Sequence, residues 1–82
     1  MNKVEIFNCL KECIVDVLLD VDENDIKIEQ SLKDLGANSI DRMDITIDCM
    51  KATGIKIPPQ KLGNISNIQE LVDAFYEESR SK

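Results

Sequence analysis

The hydroxyl of Ser39 is the group in this chain best placed to do chemistry. It stands in the run Asp34-Leu35-Gly36-Ala37-Asn38-Ser39-Ile40-Asp41. Gly36 breaks the chain, the Asn38 side chain can cap a helix, and apolar residues then recur at helical spacing through Ile40, Met43, Ile47 and Met50. Breaker, cap and period together mark a helix start. Ser39 therefore falls at or beside the first helical residue, on a tight turn, with its hydroxyl toward water. A phosphate ester there would lie near unsatisfied N–H groups and the positive end of the helix dipole. The competing role is plain capping, which serine often performs at helix starts.

The chain has no histidine. That removes Ser-His and Cys-His activation of a nucleophile and every metal site that needs imidazole. Any base that activates Ser39 must come from another protein, so no catalytic residue is assigned. Cys9 and Cys13 lie one helical turn apart, but with no second pair they read as small buried thiols and not as metal ligands. Asp20, Asp22, Asn24 and Ile26 imitate the odd positions of a calcium-binding EF-hand loop. The imitation fails at Asp25, where the loop needs glycine, and at Ser31, where it needs a bidentate glutamate. A solvated acidic loop is expected, and no metal site.

Eighty-two residues make one domain, residues 1–82, with a single small core. Aromatics are only 4% and tryptophan is absent, so Ile, Leu, Val and Met must build that core. A net charge of −6 argues against nucleic acid and anionic membranes as partners and favours proteins with basic surfaces. No segment approaches the roughly 20 apolar residues that span a bilayer, and the first residues show no secretory pattern. Three cysteines without paired spacing fit a reducing compartment. A cytoplasmic monomer is expected.

The elements that must position Ser39 are helices. A first helix is expected from Lys3 to Leu19, opened by Asn2 and Glu5 at capping-box distance, with Val4, Phe7, Leu10, Ile14, Val17 and Val21 as its stripe. A long connection anchored by Ile28, Leu32 and Leu35 follows, with Ser31 capping a short turn. The second helix should span Ser39 to Thr53 and stop at Gly54. It is apolar on two sides: Ile40, Met43, Ile47 and Met50 on one, Ile45 and Cys49 nearly opposite. Either the helix is central or one stripe is a recognition surface bordered by Asp41, Asp44 and Asp48. Ile55 to Pro59 should be extended, and Pro59 to Leu62 a short helix stopped by Gly63-Asn64. Ser66 and Gln69 match a capping box opening a last helix from Asn67 to Glu78, with residues 1–2 and 78–82 frayed. The fold class is all-α, three main helices and one short one.

With Leu35-Gly36-Ala37-Asn38-Ser39-Ile40-Asp41 at the head of the second helix, the chain resembles an acyl carrier protein. Ser31 to Gly36, Ile55-Lys56-Ile57-Pro58 and Ile65 to Val72 fall where carriers have their counterparts, so the resemblance covers nearly the whole chain. It implies an acyl-carrier-like bundle with 4′-phosphopantetheine on Ser39, attached by a phosphopantetheinyl transferase that uses coenzyme A and Mg²⁺. The arm's thiol would hold acyl groups as thioesters, and the chain itself would catalyse nothing. Carrier partners read the second helix, which makes Asn38, Ile40, Met43 and Ile47 docking residues and Asp41, Asp44 and Asp48 electrostatic guides.

Asn38 stands where carriers usually have aspartate, and Ile40 where they have leucine. Arg42 and Lys51 make this helix less acidic than in fatty-acid carriers. The Asn-Ser-Ile form resembles discrete carriers of bacterial polyketide pathways, particularly acetyl donors for β-branching. In that role malonyl on the arm would be decarboxylated to acetyl and passed to a hydroxymethylglutaryl (HMG)-synthase-like enzyme. The implied partners are thus an acyltransferase, a ketosynthase or decarboxylase, and an HMG-synthase-like enzyme. Other readings are a peptidyl, aminoacyl or fatty-acid carrier and, in a different class, a helical interaction module or calcium sensor.

Overall fold

The computed structural model describes residues 2–80. Helix α1 (Lys3–Val17) opens on a reciprocal box. The Asn2 side chain accepts the Glu5 N–H at 2.8 Å, and the Glu5 carboxylate accepts the Asn2 N–H at 3.0 Å. The helix ends two residues before the expected Leu19, with no basic side chain in its last turn. Asp16 and Asp20 instead bring negative charge to the negative end of the dipole, which does not favour extension.

Ile6, Leu10, Cys13 and Ile14 are its buried face, whereas Val4 is 67% exposed. The expected stripe was drawn through the wrong partner of Leu10. At 3.6 residues per turn Ile6 lies about 40° around the helix from Leu10 and Val4 about 120°. Phe7, Val17 and Val21 are half-buried at the edge of the core.

The acidic stretch contains one 3-10 turn, Glu23–Asp25, capped by the Asp22 carboxylate on the Asn24 N–H at 2.9 Å. Residues 22–25 face water, and Ile26 returns the chain to the core. Backbone bonds then hold the connection to the last helix. The Ile68 N–H donates to the Gln30 carbonyl and the Gln69 N–H to the Ile28 carbonyl, both at 2.8 Å. These carbonyls satisfy donors that a helix start leaves without partners.

Immediately afterwards Ser31 and Asp34 exchange side-chain to backbone hydrogen bonds at 3.0 and 3.1 Å, as the expected short turn requires. The Ala37 N–H closes on the Leu32 carbonyl at 3.0 Å, and Leu32 and Ala37 are both buried. Gly36 makes this closure with φ +95°, a backbone conformation that costs a residue bearing a Cβ about 1 kcal/mol or more. Nothing lies within 4 Å of an added Cβ there, so strain alone acts. Gly36→Ala should lower the unfolding free energy by that amount, read as a lower urea midpoint at unchanged slope; an unaltered midpoint would contradict this account of the turn.

Helix α2 (Ser39–Thr53) has the expected bounds and stops at Gly54, whose φ of +73° lets its N–H reach the Met50 carbonyl at 2.9 Å. Ile55 and Ile57 anchor the extended connector, and the short helix α3 (Pro59–Leu62) follows. Helix α4 (Ile68–Arg80) carries Ile68, Leu71, Val72 and Phe75 into the core. Its cap is one residue later than expected. Asn67 accepts the Glu70 N–H at 2.8 Å, and Glu70, not Gln69, reaches back to the hydroxyl and N–H of Ser66. Those two donors hold the Glu70 carboxyl below its ordinary range.

Helix α4 also runs two residues past the expected Glu78. Residues 78–80 are helical, with Glu78 paired to Lys61 and the Ser79 hydroxyl donating to the Tyr76 carbonyl at 2.7 Å. Asn2 makes the cap of α1, while residues 1, 81 and 82 lie outside the described residues. α1 packs along α2 and α4, around a core centred on Ile6, Leu10, Ile14, Ile45 and Phe75. The described residues are thus three main helices and one short one, with no strand.

Candidate functional site

Asn38, not Ser39, caps α2. Its side-chain oxygen accepts the Asp41 N–H at 2.8 Å, and the Asp41 carboxylate accepts the Asn38 N–H at 3.3 Å. Aspartate at position 38 would set two carboxylates against each other in this box; asparagine supplies the acceptor without the second charge. Ser39 is left as the first helical residue, exposed, with its hydroxyl free of any capping duty. That oxygen instead accepts an N–H from Arg42 Nη2 at 3.3 Å.

The two apolar sides of α2 meet different fates. Ile45 and Cys49, with Thr46, enter the core, while Ile40 is 72% and Met43 53% exposed. Ile47 is half-buried, and Asp44 and Asp48 face water beside this outward stripe. Asp41 is partly buried, its carboxylate turned to the cap. Ser39, Ile40, Met43, Asp44, Ile47 and Asp48 therefore belong to one end and one outward side of a single helix.

Beside Ser39 lies an open groove of about 430 Å³, lined in part by Arg42, Met43, Thr46, Leu62 and Leu71. Its walls come from α2, the α3 region and α4, so no local sequence pattern announces it. Arg42 was read from sequence only as a charge. Its signal was its position three residues after Ser39, which puts the two side chains on one helix face.

The structure also brings the third cysteine to the other two. Cys49 of α2 joins Cys9 and Cys13 of α1, and the three sulfurs lie within 4.8 Å of one another. Burial, with the neighbouring Cys9, pushes Cys13 up to about 11; burial and both neighbouring thiols push Cys49 up as well. Both stay protonated at neutral pH, and a buried thiol attacks a thioester poorly.

An exposed hydroxyl, an open groove beside it and a guanidinium within reach suit a phosphate ester carrying an elongated substituent. Residues 10–75 match the family model of the phosphopantetheine attachment site. The chain belongs to that family and is an acyl carrier protein, a class that carries 4′-phosphopantetheine covalently. It is 35% identical, over 99% of both chains, to the polyketide biosynthesis acyl-carrier-protein AcpK of Bacillus subtilis. To the acyl carrier protein of Petrotoga mobilis it is 33% identical over 94% of this chain and 91% of the relative. In fold it is similar to a chain in the crystal structure of the curacin biosynthetic pathway HMG synthase in complex with acetyl donor-ACP. The TM-score is 0.82 at 28% identity, covering 92% of this chain and 96% of the other. Among the described residues no helix is long and apolar enough to cross a membrane.

Proposed function

We propose that Ser39 is the attachment point of the arm and that residues 1–82 act as a single, monomeric carrier domain in polyketide biosynthesis. The observation that carries this is the hydroxyl of Ser39, exposed at the head of α2 and relieved of capping by Asn38. A phosphopantetheinyl transferase supplies the base that a chain without histidine lacks. When bound, the arm provides a terminal thiol that holds acyl groups as thioesters.

The protein's own residues do the positioning. The Asn38–Asp41 box fixes the first turn, and the Gly36 turn, tied through Ala37 to Leu32, holds that turn against the core. Ile40, Met43 and Ile47 offer an apolar patch to acyl-processing partners, with Asp44 and Asp48 steering their basic surfaces. An HMG-synthase-like enzyme is the partner best supported, since the similar solved chain comes from a complex of an HMG synthase with its acetyl donor. An acyltransferase and a ketosynthase or decarboxylase would supply the acetyl group. The three free cysteines fit a reducing cytoplasm.

Mass spectrometry of the intact protein after incubation with transferase, coenzyme A and Mg²⁺ tests attachment. A second measurement tests docking. Asp44→Lys should slow acetyl transfer to an HMG synthase by about three- to tenfold at low salt, with the deficit shrinking as salt is added. Stability should move by less than about 0.5 kcal/mol, because the side chain is exposed. Equal rates for both proteins at every salt concentration would remove the steering role.

A further inference from the structure

We propose that Arg42 is the anion-binding residue for the phosphodiester that joins the arm to Ser39. This rests on Ser39 being the attachment point. Three observations converge on the guanidinium. Its Nη2 already donates to Ser39 Oγ at 3.3 Å. Among the described residues no carboxylate pairs with it, although Asp41 and Asp44 are close in sequence; the Asp41 carboxylate is engaged by the Asn38 N–H. Arg42 also lines, together with Ser39, the groove of about 430 Å³, and reaches a smaller depression of about 160 Å³ that Ser39 does not line.

Esterification changes what Oγ presents to Arg42. The oxygen loses its proton, and two bonds farther out, beyond the phosphorus, stand two non-bridging oxygens sharing a negative charge. A guanidinium is always charged and is a planar fork that matches such a pair, which a lysine would meet only as a point charge. The donor aimed at Oγ in the bare protein therefore needs only a small side-chain rotation to take the phosphodiester. Held there, the arm leaves Ser39 from a fixed starting point in the groove of about 430 Å³. Arg42 is a positioning residue in this role, since it touches neither the thiol nor the acyl group. Lys33 lines only the smaller depression and serves as the comparison charge.

Nuclear magnetic resonance on the full chain tests this with a readout independent of acyl transfer. Bare and loaded wild type are first distinguished by intact mass. The Arg42 Nε–H should then exchange with solvent about two- to fivefold more slowly in the loaded protein, the population shift an exposed charge pair supports. The ³¹P resonance of the loaded protein should shift on Arg42→Gln, move partway on Arg42→Lys, and stay in place on Lys33→Gln. Loaded wild type whose Arg42 exchanges as fast as in the bare protein would overturn the assignment and leave the carrier reading intact. An equal ³¹P shift from Lys33→Gln would also overturn it, because general electrostatics would then suffice. Wild type that gains no mass would instead overturn the attachment at Ser39.

Discussion

Ser39→Ala is expected to fold like the wild type and to accept no phosphopantetheine. The two halves of this result have separate causes. The fold survives because Asn38 and Asp41 carry the cap, and alanine is a good residue inside a helix. Only the exposed 3.3 Å contact from Arg42 is lost, so stability should stay within about 0.5 kcal/mol. Loading fails completely because no neighbouring hydroxyl occupies the head of α2: Thr46 is buried and donates to the Arg42 carbonyl at 2.8 Å. Circular dichroism and intact mass, measured on one preparation, check both halves. Undiminished labelling of the variant would mean that the arm is attached elsewhere. A collapsed fold would mean that the serine, after all, held the helix start.

The largest effect on stability should come from Phe75→Ala. Phe75 is fully buried on α4, among the core residues Ile6, Leu10 and Ile14 of α1. Truncating a buried phenylalanine costs about 3–5 kcal/mol, through lost transfer energy and the cavity left behind. A domain of this size has roughly 4–12 kcal/mol to lose, so the variant should be marginally folded at best. Ile40→Ala is the matching control. It removes an aliphatic side chain that is 72% exposed and should cost less than about 0.5 kcal/mol. Urea unfolding followed by far-ultraviolet circular dichroism separates the two. Comparable losses at positions 40 and 75 would show that Ile40 is packed, and its assignment to a docking surface would fall.

The same contrast marks the boundary between what local sequence encodes and what the fold adds. The bounds of α2 were legible because both are local events: Asn38 bonds a residue three positions on, and Gly54 adopts φ +73° by its own lack of a side chain. The Ser31–Asp34 turn, the Asn2–Glu5 box and the short helix after Pro58 were legible on the same grounds. The cap of α4 was read one residue early because Ser66 and Asn67 are both good caps with an acid or amide three residues on. The carbonyls of Ile28 and Gln30, far away in sequence, meet the N–H groups of Ile68 and Gln69 and fix the register.

The serine proposed to carry the arm was thus legible in a stretch of eight residues, along with the start of its helix, and the lack of an imidazole base in the composition of the whole chain. Tertiary structure alone decided which side of α2 is core and which is surface. Helical period gives the angle between two apolar stripes, but only the packing of α1 determines that Ile45 and Cys49 lose their water while Ile40 and Met43 keep theirs. It also brought Cys49 to Cys9 and Cys13, and built the groove beside Ser39 from segments distant in sequence. Caps and turns are set by bonds spanning a few residues; burial and cavities depend on which surfaces the whole chain can cover at once.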